Sequence, residues 1–155
     1  MRALKFLALS AAGLSLLAAL VGMSGPSQAQ GPTFKIELCS GWPRPVLLSL
    51  VHRTAPNEQN FVVKGWFALE QGKCAGGELP RGNFATFAFS LNNDKIDKIW
   101  RGEGNNAVAV CVDVSKPFER VVTDNYECKE ENNEVLVPFQ IWRVTNQPGI
   151  KVTFK

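Results

Sequence analysis

Along most of this chain apolar and polar residues alternate with a period of two rather than recurring every three or four positions. Residues 34–38, Phe-Lys-Ile-Glu-Leu, set the pattern, which turns one face of an extended strand inward and leaves the other in water. Trp42-Pro43-Arg44-Pro45 interrupts it, because proline has no N–H to give to a ladder. Extended structure resumes over residues 46–53 and stops at a polar turn around Pro56-Asn57. Further strands are expected over residues 61–69, around Cys74 after the turn Glu70-Gln71-Gly72-Lys73, over 83–91 with Phe84, Phe87 and Phe89, and over 95–100. Asn92-Asn93-Asp94 is a hairpin turn signal between the last two.

Residues 107–114 are apolar almost without a break, the expectation for a central strand covered on both faces and the best core candidate. Lys116-Pro117 ends that run, and the polar stretch through Asn125, Cys128 and Asn133 reads as a loop or short helix. Residues 135–144 and 150–154 supply the last strands, separated by the turn Asn146-Gln147-Pro148-Gly149. Eight or nine short strands with turn signals at intervals of about 8–12 residues predict an all-β domain. An antiparallel β-sandwich is the expectation, with a closed β-barrel as the alternative. β-Branched and aromatic residues dominate and no apolar stripe has helical spacing, so a helical fold is excluded.

The first 29 residues differ from the rest. Arg2 and Lys5, an apolar run over residues 6–21, and the small-residue exit Ser27-Gln28-Ala29 form the three parts of a cleavable signal peptide. Ser10, Gly13 and Ser15 interrupt the run, which is also shorter than the roughly 20 apolar residues of a spanning helix. Cleavage after Ala29 leaves residues 30–155, one domain by size. The processed product is therefore expected to be exported, periplasmic or extracellular, and not membrane-spanning.

Removal of the signal also changes the charge. The whole chain carries +3, but without Arg2 and Lys5 only 15 basic residues stand against 14 acidic ones. The remaining charges are scattered and form no basic stripe, so nucleic acid is excluded as a partner.

Cys39, Cys74, Cys111 and Cys128 all lie beyond the signal, and an even number of cysteines in an exported chain predicts disulfides. Three pairings are possible. Proximity favours Cys111–Cys128, which leaves Cys39–Cys74, each closure being worth on the order of 3 kcal/mol. The spacing lacks the close C-x-x-C of structural zinc and the chain has one histidine, so neither a metal nor any other cofactor is expected.

Cys39, Gly65-Trp66-Phe67, Gly72-Lys73-Cys74, Trp100-Arg101-Gly102, Cys111-Val112 with Phe118, and Cys128 follow one another in an order and spacing that resemble the bacterial domain of unknown function 1036 family. The resemblance spans residues 36–154 and implies a small exported protein with no catalytic residues to carry over. Gln71 stands where that pattern favours proline, and Phe67 where a second tryptophan is common.

Candidate chemistry is sparse. His52 is the sole imidazole and no G-x-S-x-G nucleophile elbow is present, so it reads as a partly exposed strand-end residue. A small secreted hydrolase built on paired carboxylates is the enzymatic alternative, with Glu58 and Glu70 or Glu78 and Glu103 as pairs. Asn92, Asn93, Asp94 and Asp97 cluster oxygen donors but lack the calcium-loop spacing. Glu130-Glu131-Asn132-Asn133-Glu134 reads as a solvated loop.

The four tryptophans offer the one functional hint with a mechanism, since an exposed indole stacks on sugar rings or anchors a protein partner. Trp66 and Trp142 lie within strands and are expected to be core. Trp42 and Trp100, with Arg44 and Arg101 beside them, form the candidate binding surface. The sequence thus points to a non-catalytic binding or envelope-associated module, with a glycan or an envelope protein as partner. A structural protein assembling through an unpaired sheet edge is the third class.

Overall fold

The computed structural model describes residues 33–155; the expected signal peptide, residues 1–29, lies outside the described residues. In chain order the strands are β1 (Thr33–Ser40), β2 (Val46–Arg53), β3 (Asn60–Leu69), β4 (Cys74–Pro80) and β5 (Phe84–Asn92). They continue with β6 (Lys95–Trp100), β7 (Ala107–Asp113), β8 (Phe118–Thr123), β9 (Glu134–Trp142) and β10 (Gly149–Phe154). Short 3-10 turns lie at Gly104–Asn106, between β6 and β7, and at Glu130–Asn132, in the expected polar loop.

Two sheets form. The small one has the order β10-β1-β4, and the large one runs β7-β9-β5-β2-β3-β8. β6 joins β5 outside that path, because one edge of β5 is shared: Phe84 to Thr86 pair with β9, and Ala88 to Asn92 pair with β6. The ladders are antiparallel except β1–β10, which is parallel from Lys35↔Gly149 to Ser40↔Phe154.

The period-two pattern explains the sandwich. Phe34, Ile36 and Leu38 on β1, with Leu79 on β4 and Val152 and Phe154 on β10, meet Val46, Leu48 and Phe84 of the large sheet in one buried cluster. Lys35 and Glu37 between them stay in water. A second cluster, Val51, Val63, Ala85, Val112 and Phe139, lies on the other face of the large sheet. That face has no covering sheet, so the large sheet curls until β7 and β9 at one end and β8 at the other fold over it.

The curl brings β7 and β8 together without a ladder between them. Instead the Trp66 indole donates to the Asp113 carbonyl at 2.7 Å, and Arg120 donates to the Cys111 carbonyl at 2.7 Å. The large sheet is therefore a barrel with an unzipped seam, which combines features of both expected architectures. The apolar run at residues 107–114 corrects the sequence reading: β7 is an edge strand, with Val108 39% exposed and only Cys111, Val112 and Asp113 buried. Residues 118–123, read as part of the polar stretch, form β8.

The disulfides are Cys39–Cys74 and Cys111–Cys128. The first joins directly opposed residues of β1 and β4; the second ties β7 to the loop after β8. Asn93 and Asp94 take positive φ of 50° and 61°, the geometry of a tight hairpin turn.

Candidate functional site

The β6 strand ends on Trp100 and leads into Arg101, two of the four residues of the sequence-predicted surface, and it sits where the sandwich is open. Its residues are nearly all exposed because it pairs only with the second half of β5 and has no layer beneath its far side. A wide groove of about 710 Å³ runs between β6, β9 and β10. Trp100 and Trp142 line it, together with Asp97, Lys98, Arg101 and Gln140.

Trp100 packs edge-on against Phe154, with ring centroids 5.8 Å apart, and its indole N–H donates to the Lys155 carbonyl at 3.0 Å. Trp142 stacks on Phe84 at 6.4 Å and donates to the Thr86 hydroxyl at 2.9 Å. Both indole N–H groups are thus spent on the protein, so each ring has a fixed position and offers carbon surface to the groove. Gly102 follows Arg101 and is buried. A Cβ there would lie 2.3 Å from the Phe139 carbonyl oxygen and 2.7 Å from the Ala107 Cα, so only glycine lets the chain turn from β6 onto β9.

Trp42 and Arg44 join the same corner from outside the groove. The Trp42 N–H donates to Asp97 at 3.2 Å, and Arg44 bonds the same carboxylate at 2.5 Å. The Trp42 ring meets Trp100 edge to face at 5.6 Å and carries the Lys98 ammonium 5.6 Å from its centroid. Trp42 is therefore a buttress: it packs against the first core and holds Trp100 in place, and Lys98 lies over its ring. Of the four candidate residues, Trp100 and Arg101 line the groove while Trp42 and Arg44 support it. Trp142, read as core from its place within a strand, is the lining residue missed. Its signal was the alternation Phe139-Gln140-Ile141-Trp142, which puts Trp142 on the face of Gln140 and opposite Phe139.

The remaining chemistry is dispersed. Glu58 is bonded by Thr54 in the β2–β3 loop, and Glu70 sits in the turn after β3. Glu78 on β4 accepts from Thr33, whereas Glu103 lines the tryptophan groove with Asp97. Neither expected acid pair lines a common cavity. The His52 Nδ1–H donates to the Arg53 carbonyl, 2.7 Å away. Glu37, Cys39 and Cys74 lie close together, but the two sulfurs are bonded to each other and present no thiolate.

Charge is buried in one place, below the loop after β8. Glu134 is salt-bridged to Arg120, accepts from the Lys129 N–H at 2.8 Å, and receives the Tyr126 hydroxyl at 2.9 Å. Burial alone pushes the Glu134 carboxyl up; the Lys129 N–H, the Tyr126 hydroxyl and Arg120 outweigh it and hold it below the usual range. Burial, and then the bond to Glu134, raise the Tyr126 phenol. Asp113 is lowered by the Ser115 hydroxyl at 2.6 Å and N–H at 2.8 Å. These contacts lock the loop, and none of the groups lines the tryptophan groove.

The sequence matches no family model, and neither a curated protein nor a solved structure matches it.

Proposed function

We propose that this is an exported, non-catalytic binding protein whose ligand is a glycan held in the groove between β6, β9 and β10. The observation that carries the reading is the pair Trp100 and Trp142, half-buried on the walls of one open groove with their polar edges already bonded. Fixed indole faces stack on sugar C–H surfaces without losing side-chain freedom, and Asp97, Lys98, Arg101 and Gln140 supply donors and acceptors for hydroxyls. Two disulfides support an oxidising, exported setting. The proposal includes membership of the domain of unknown function 1036 family, supported by the cysteine and tryptophan landmarks alone.

A glycan array with the oxidised protein and its Trp100→Ala and Arg101→Ala variants tests it. Binding by the native protein, at least fivefold weaker in both variants while their thermal midpoints stay above the assay temperature, supports the groove. No glycan bound, or equal binding by all three, removes it.

One observation favours assembly through a sheet edge as a second reading. β7 has an uncharged edge from Ala107 to Val112, and charge is the usual protection of such an edge. Sedimentation velocity across a hundredfold range of concentration separates this class, which requires a concentration-dependent larger species.

A further inference from the structure

Beneath the seam the curled sheet forms a second cavity, half open to solvent, on the opposite side of the large sheet from the first core and separate from the tryptophan groove. Its volume is about 270 Å³. Protein interiors hold few voids larger than a water molecule, and this one equals about nine waters' share of liquid volume. Most of the lining is apolar: Val51, Val63 and Ala85 are all below 9% exposed, Val110, Val122 and Ile141 stand beside them, and Tyr126 adds a phenol. Asn83, Asp124 and Arg53 stand at the rim.

The shape follows from β7 and β8. Only the four residues 114–117 join them, so the strands leave the turn side by side, yet they never pair. Near the turn they are bridged, Cys111 by Arg120 and Asp113 by Trp66. Farther out they splay, and the cavity opens between Val108, Ala109 and Val110 on one side and Val122, Thr123 and Asp124 on the other.

Main-chain direction alternates along a strand. The Cys111 and Asp113 carbonyls both point away from β9 into the seam. Ala109 has the same parity, so its N–H and C=O also face the seam, at the mouth of the cavity. An apolar chamber thus has one main-chain donor and one acceptor at its opening.

We infer that this cavity is a binding site for a compact apolar small molecule with a single hydrogen-bonding end, the ring or branched body among Val51, Val63, Ala85, Val122 and Ile141 and the polar end at Ala109. The size is set by volume. An apolar cavity of about 150 Å³ accepts benzene, so 270 Å³ accommodates about eleven non-hydrogen atoms. Water needs two to four polar partners, which Val51, Val63, Ala85, Val122 and Ile141 do not offer, so that part of the cavity favours an apolar body. The disulfide Cys111–Cys128 and the Arg120–Glu134 pair hold the narrow end of the wedge, so the opening is maintained without a ligand.

The test uses 1-naphthol, a bicyclic aromatic alcohol of that size, with amide shift mapping by NMR on the folded, oxidised protein. Saturable shifts confined to Val51, Ala85, Ala109, Val110, Val122 and Ile141 are expected, with the Trp100 and Trp142 indole signals unmoved. Val122→Phe and Val110→Phe fill the cavity from opposite walls; either one, if folded, is expected to weaken binding at least tenfold. Shifts at the tryptophan groove instead, shifts scattered over the exposed residues Val121, Val135 and Leu136, no saturation, or unchanged affinity in a folded variant overturn the inference. If neither variant folds, the native shift map alone decides. Failure here leaves the glycan reading intact, because the two sites share no lining residue.

Discussion

Trp66 donates its indole N–H to the main-chain carbonyl of Asp113 at 2.7 Å, joining β3 to β7 across a seam that no ladder crosses. The same ring packs edge-on against Phe87, Phe89 and Phe118, with centroids 6.1, 5.2 and 6.4 Å away. One residue therefore supplies both the filling and the fastening at the tight end of the curled sheet.

Trp66→Phe keeps most of the packing and removes the bond, leaving a carbonyl without its donor. The expected loss is about 1–2 kcal/mol, read as a lower urea midpoint with an unchanged slope. A loss below about 0.3 kcal/mol would mean that water replaces the indole at Asp113.

Stability is expected to fall on acidification through Glu134. Its folded carboxyl is held below its ordinary 4.5, so the stabilisation is complete above that value and is lost as pH falls through it toward the depressed one. Asp113 and Glu119 are shifted in the same sense. Glu134→Gln strands Arg120 and costs about 3 kcal/mol or more at pH 7. The gap between variant and native protein should narrow from pH 6 to pH 3; denaturant titrations at four pH values read it, and a constant gap contradicts it.

Thiol labelling of the denatured, unreduced protein should find no free cysteine. The chain-entropy relation gives about 3.8 kcal/mol for Cys39–Cys74, 35 residues apart, and about 3.1 for Cys111–Cys128, 17 apart. Replacing Cys111 and Cys128 by alanine should first speed amide exchange in residues 124–133, since the Glu134 network then holds that loop alone. Replacing Cys39 and Cys74 should lower the global midpoint further and leave that loop protected.

Gly102→Ala and Gly77→Ala form a matched pair. At Gly102 the new methyl meets the Phe139 carbonyl and Ala107, whereas at Gly77 nothing lies within 4 Å. The first is expected to cost about 3 kcal/mol and the second less than about 0.5. Comparable thermal midpoints for the two would show that the chain beside Trp100 yields easily.

The strands were legible because local pattern governs them. β2 and β6 fall at the expected residues, and the Asn93-Asp94 turn takes the left-handed geometry its residue types favour. What a sequence pattern lacks is the partner of each strand. An unbroken apolar run such as 107–112 is the mark of a central strand, yet the same residues serve β7 as the wall of a cavity on one side and as a sheet edge on the other. Phe118-Glu119-Arg120-Val121-Val122-Thr123 alternates in burial but not in hydropathy, since Arg120 faces inward and Val121 outward, so β8 and with it the seam are hidden in the sequence. In the groove, Trp100 and Arg101 were legible from a break in the strand pattern. Trp42 and Trp142 are both half-buried, and they differ in what each meets in the fold: Lys98 lies over the Trp42 ring, while Trp142 lines the groove beside Gln140.

The parallel pairing of β1 with β10 has a kinetic side. Lys151 bonds Glu37 across 114 residues of sequence, and contacts so distant form late and slowly. Phe34, Ile36 and Leu38 have no complete core until Val152 and Phe154 arrive. A chain synthesised from its amino end therefore carries β1 as an open, apolar edge until residues 149–154 have been made. The final strand converts that exposed edge into the middle of a sheet.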